Sequence, residues 1–153
     1  MSTDEQTREI ANDLVSAAVN YARRALKKFG EFGPFGFSMN TEREITRETL
    51  GADNLPADTA MLLDLLRRHL SERAQMGEII AAATAINVSM TQSSEEGFTD
   101  AVLVEIEHQN GYCTQAFIPY RIAGGQYWKI FPRVVRFGAV RVQNGSTHIF
   151  ATD

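Results

Sequence analysis

Residues 100–121 read DAVLVEIEHQNGYCTQAFIPYR, and the way this stretch divides decides the fold. It reads as two antiparallel strands joined at Asn110-Gly111. Asn-Gly suits the type I′ turn, whose two central residues both take positive φ and whose twist matches the strands it joins. A loop of those two residues alone sets Gln109 opposite Tyr112, His108 opposite Cys113, Glu107 opposite Thr114, Glu105 opposite Ala116 and Leu103 opposite Ile118. One face of the hairpin then carries Val102, Val104, Ile106 and Phe117.

Working outward from the hairpin, residues 78–91 (EIIAAATAINVSMT) are apolar, and periodicity alone does not separate helix from strand. Gly77 breaks the helical pattern before it, and Ile86, Val88 and Met90 alternate with Asn87 and Ser89, so the segment is read as a strand, with 92–97 a polar loop. Upstream lies a helix with Pro56 in its first turn and an apolar stripe of Met61, Leu62, Leu65, Leu66, His69 and Leu70, ending at Met76-Gly77. Gly51 to Leu55 links it to a weaker hairpin, in which Phe35, Phe37 and Met39 precede a turn at 40–43 and a short strand from Glu44 to Arg47. Before that, a capping box at Ser2 to Gln6 opens a long helix near Asp4, with Ile10, Leu14, Ala17, Tyr21 and Ala25 at helical spacing until Gly30.

Downstream, Ala123-Gly124-Gly125 turns the chain into 126–133, where Pro132 argues for an edge strand or a break. A last hairpin is expected from Val134 to Gln143 and Ser146 to Ala151 around Asn144-Gly145. Helices first and then a run of strands is the pattern of an α+β domain, with two helices packed on one face of a largely antiparallel sheet. At 153 residues a single domain spanning 1–153 has enough chain to bury its own core.

The order of parts resembles a family of small bacterial α+β proteins with no assigned activity. The likeness rests on PFGFSMN after a long helix, a second helix, and DAVLVEIEH-x-x-G followed by a strand ending IPYRI. It implies no catalytic residues. Where that family has an acidic-glycine turn, this chain has Thr41-Glu42-Arg43-Glu44.

Fifteen Lys and Arg against nineteen Asp and Glu give a net charge of −4, which supplies no global field for a phosphate backbone and argues against nucleic acid. The N-terminal MSTDEQTREI lacks the basic and apolar regions of a signal peptide, and no stretch approaches a membrane span. The single Cys113 has no disulfide partner in the chain, so a reducing, cytoplasmic compartment is expected.

Three constellations bear on chemistry. His108 opposite Cys113 is a thiol beside an imidazole, yet no third, orienting group is in view, and packing of the cysteine as a small apolar side chain is the favoured reading. Glu105 and Glu107, two residues apart, suit acid and base work or a hard cation, but alternation on a solvated half-sheet accounts for them. His69 and His148 have no metal-ligand spacing, so no metal, cofactor or catalytic residue is assigned.

The third constellation is aromatic. Gly30, Gly33 and Gly36 interleave with Phe29, Phe32 and Phe35, either as an aromatic-rimmed binding loop or, the favoured reading, as a crossover whose phenylalanines fill core. Tyr120, Arg121, Tyr127 and Trp128 flank Gly124-Gly125, and aromatics with arginine are enriched at interface hot spots. Phe32, Phe35, Tyr120, Arg121, Tyr127 and Trp128 are therefore the expected interaction residues. The expected function is a non-enzymatic domain that binds a protein or a second copy of itself as a homo-oligomer. The alternative is a small-ligand enzyme with a pocket between sheet and helices, lined by Phe32, Phe35 and Trp128.

Overall fold

A 16-residue strand, Ile79–Ser94 (β3), carries the sheet, and the computed structural model describes residues 3–50, 55, 57–94, 97–124 and 132–150 around it. Before β3 come helix Thr3–Phe29 (α1), strands Phe35–Asn40 (β1) and Ile45–Glu48 (β2), and helix Thr59–Gln75 (α2). After it come Phe98–His108 (β4), Cys113–Ala123 (β5), Val134–Phe137 (β6) and Arg141–Asn144 (β7). The strands form one antiparallel sheet in the order β2-β1-β3-β4-β5-β6, with β7 also on β5. This is the α+β architecture read from the sequence, and no helix among the described residues is long and apolar enough to cross a membrane.

The two helices, expected on one face, take opposite faces. The α1 line Ile10, Leu14, Ala18, Ala22 and Leu26 packs on Phe35, Phe37 and Met39 of β1, Ala81, Ala83 and Ala85 of β3, and Val102, Val104 and Ile106 of β4. The residues between these on each strand point the other way. There Ala82, with Ile79, joins Leu66 and Leu70 of α2 in a second core. A Cβ on Gly36 would sit 3.3 Å from both Leu66 methyls, so that glycine sets how closely α2 lies on the sheet. Small side chains on a central strand between two helices explain why AAATA, a poor strand former by propensity, is a strand here. The structure starts α2 at Thr59, where the Asp58 carboxylate accepts the Met61 N–H at 3.0 Å; Pro56 lies outside the described residues.

The central hairpin forms one residue out of the expected register. Glu107 pairs with Cys113, Ile106 with Thr114 and Leu103 with Phe117, because the loop has three residues, 109–111. His108 N–H donates to the Tyr112 carbonyl at 2.8 Å, and Gly111 N–H to the His108 carbonyl at 3.0 Å. Only Gly111, at φ +97°, lies in the left-handed region. Asn110 instead uses its side chain: Oδ1 accepts the Tyr112 N–H at 2.9 Å, and Nδ2 donates to Thr7 Oγ1 of α1 at 2.8 Å. This tie to the helix and the αL glycine give the three-residue loop the advantage over type I′. A one-residue slip turns the partner strand over. Thr114, Ala116, Ile118 and Tyr120 face α1, and Phe117 moves to the α2 face.

Among the described residues no hairpin forms at Asn144-Gly145. β6 and β7 lie end to end along β5, pairing with Tyr120–Ala123 and Thr114–Phe117 respectively, and the register steps by one residue between them. Residues 145–150 then fold back over the α2 face, where Ile149 is buried. The strand expected at 126–133 lies mostly outside the described residues, and the loop expected at 92–97 begins later, since β3 runs to Ser94.

Candidate functional site

The proposed thiol and imidazole pair does not form across the hairpin. Cys113 stands opposite Glu107 on the α2 face and donates from Sγ to the Gly145 carbonyl at 3.4 Å. His108 belongs to the α1 face, in line with Ile106, and its Nδ1 accepts the Asn110 N–H at 3.1 Å. Burial holds the His108 pKa below the ordinary imidazole value.

Glu105 and Glu107 do share a face, but it is the face that α2 covers, so the solvated half-sheet expected for them is not what they occupy. Glu105 receives both Arg67 hydrogen bonds, at 3.1 Å each, with His148 Nε2 at 3.7 Å. Glu107, 2% exposed, accepts three successive backbone N–H groups on Oε1, from His148, Ile149 and Phe150 at 2.9, 2.8 and 3.2 Å. Glu48 at the sheet's other end accepts from Ser38 Oγ at 2.6 Å and from Arg73, with His69 Nε2 at 3.4 Å. Each carboxylate thereby fastens a segment: Glu105 and Glu48 fasten the two flanks of α2, and Glu107 fastens 148–150. Among the described residues no three His, Cys, Asp or Glu side chains converge as metal ligands.

Of the six expected interaction residues, the structure brings three together. Phe32 lies 5.7 Å from Phe35 and 6.4 Å from Tyr120 between ring centroids, and Tyr21 lies 4.4 Å from Phe35. Phe35 and Tyr120 are 4% and 5% exposed, so they serve the core, whereas Phe29 of the crossover is 64% exposed. The Tyr120 hydroxyl donates to Asn87 Oδ1 at 2.7 Å, and its pKa is pushed up to about 12 by burial and by the charge of Asp100. Arg121 is on the other face, its guanidinium 5.9 Å from the centre of the Phe98 ring. Tyr127 and Trp128 lie outside the described residues.

Phe32 and Phe35 line separate recesses on either side of Tyr21. One, about 560 Å³, runs along Ala25, Phe29, Glu31, Phe32 and Gly33. The other, about 260 Å³, lies between Phe35, Arg47, Leu50, Leu62 and Leu66.

The feature that sequence reasoning missed is the outer edge. Gly138 N–H donates to the Pro119 carbonyl at 2.7 Å and Gly145 N–H to the Cys113 carbonyl at 3.3 Å. By the alternation of an antiparallel ladder, the backbone groups of Val134, Arg136, Arg141 and Gln143 also point at β5, and those of Val135, Phe137, Val142 and Asn144 point outward. No other strand among the described residues pairs with that outer side. Val134, Val140 and Val142 are 50%, 52% and 67% exposed along it. The available signal is the four valines at 134, 135, 140 and 142, in a stretch read from the sequence as part of a hairpin of its own.

No family model matches the chain, and neither a curated protein nor a solved structure matches it. Among the described residues the fold is α+β, a seven-stranded sheet between two helices.

Proposed function

We propose that this is a non-enzymatic protein-interaction domain that takes an extended segment of another polypeptide onto the β6–β7 edge by strand addition. The observation that supports it is the pairing of outward backbone groups with exposed valines along 134–144. An open edge offers main-chain hydrogen bonds for affinity and side-chain contacts for choice. A protein of this kind needs no cofactor. Its half-buried single cysteine suits a reducing cytoplasm, and its net charge of −4 makes membrane or nucleic acid a poorer partner.

Selection of peptides from a random library tests the reading. Selected peptides are expected to shift the amide resonances of 134–144, and peptides that instead shift Tyr21, Phe32 and Leu62 would overturn it. That second result would favour the small-ligand alternative, which rests on the recess between Phe35, Arg47 and Leu62. Self-association is tested by sedimentation over a concentration series.

A further inference from the structure

We infer that the segment received on the β6–β7 edge is an extended strand alternating acidic and apolar side chains. This rests on the strand-addition reading and adds the chemistry of the partner. The edge 134–144, VVRFGAVRVQN, contains two arginines and no acid. The register places Arg136 and Arg141 on the same face as Arg121 and Phe117, while Val135, Phe137 and Val142 share the α1 face. Arg136 stands directly opposite Arg121, so positive side chains of neighbouring strands share that face. Among the described residues no ion pair engages Arg136 or Arg141.

Further positive groups lie beside the edge, with Asp100 two strands away across Tyr120. Arg23 of α1 lies over the Phe137 ring at 5.1 Å, and Arg133 donates to the Lys28 carbonyl at 2.9 Å at the end of α1. In a chain of net charge −4 this is a local concentration of positive charge beside an open ladder. A second copy is a poor occupant, because its edge brings two more arginines and no acid to neutralise them. Arginines also guard edges against aggregation. A guard and a docking site differ in what they admit: acidic residues on one face of an added strand neutralise Arg136 and Arg141, and apolar residues on the other meet Val135, Phe137 and Val142. Nucleic acid would satisfy the arginines but would leave the outward amides and the valines without partners.

The experiment uses the full chain and two short, capped, fluorescent peptides, one alternating Glu and Val, the other Lys and Val. Anisotropy titration is expected to show the Glu-Val peptide binding at least about ten-fold more tightly, with affinity falling as salt rises. Reversing the edge with Arg136→Glu and Arg141→Glu together is expected to exchange the order of the two peptides. Val142→Pro removes an outward N–H and leaves the bonds to β5 in place, so it is expected to abolish binding while the melting temperature is kept. Should that variant unfold, the amides of Val135, Phe137, Val142 and Asn144 in the unaltered protein must shift on adding the Glu-Val peptide. Equal binding of both peptides, with those shifts, would overturn the acidic partner and leave strand addition standing. Binding of neither would overturn both. Tight binding of a single-stranded RNA homopolymer that survives Val142→Pro would assign the arginines to nucleic acid and overturn the proposal.

Discussion

His108 shows how a single side chain couples this fold to pH. It is 8% exposed, its Nδ1 must be unprotonated to accept the Asn110 N–H, and burial depresses its pKa. The unfolded chain takes up this proton near the ordinary value of about 6.5. The sign follows: the folded state holds the proton more weakly, so the stabilisation is complete above that value and is lost as pH falls from it toward the folded pKa. Urea midpoints measured across this range are expected to fall with acidity, and His108→Asn, which keeps an acceptor near the Nδ1 position, is expected to flatten that part of the profile. A profile unchanged by the substitution would place the proton uptake elsewhere. Gly111 is the neighbouring case. A Cβ there meets nothing within 4 Å, so Gly111→Ala tests backbone strain alone, with an expected loss of about 1–2 kcal/mol. Thermal unfolding reads it, and no loss would mean that the loop had changed its conformation.

At the level of elements, the hairpin was legible from Asn110-Gly111 as a turn but not as a register. Asn-Gly serves both a two-residue loop with two left-handed residues and a three-residue loop with one, and the choice is made by a bond 103 residues distant, from Asn110 to Thr7. Local sequence does not contain that bond. The second helix was legible as a helix, but its stripe was read too broadly. Leu66 and Leu70 are buried, whereas Met61 is 60% exposed. Leu70→Ala is expected to cost about 2–5 kcal/mol and Met61→Ala within about 0.5 kcal/mol, as read by chemical denaturation. Similar losses for both would mean that the whole stripe is covered. The placement of the helices had a signal that went unused. The run EIIAAATAI does not alternate, and a strand without alternation is one buried on both faces, which two helices on one face cannot supply.

For the whole molecule, the sheet is a frame whose two faces are closed by different means. The α1 face is closed by an almost wholly apolar core, whose residues repeat at helical and strand periods and were therefore readable. The α2 face adds to its smaller apolar cluster the carboxylates of Glu48, Glu105 and Glu107 with Arg73, Arg67 and three backbone amides, and charged residues in a strand read as solvent-facing until their partners are known. The candidate site was illegible for a related reason: an edge is a property of sheet order, and the order was not fixed until β6 and β7 were seen to share β5. A buried carboxylate deprived of its donors is costly. Closure of the α2 layer thus depends on a segment that is not part of the sheet and that lies 41 to 43 residues beyond the carboxylate it solvates, whereas the α1 layer draws none of its core from that segment.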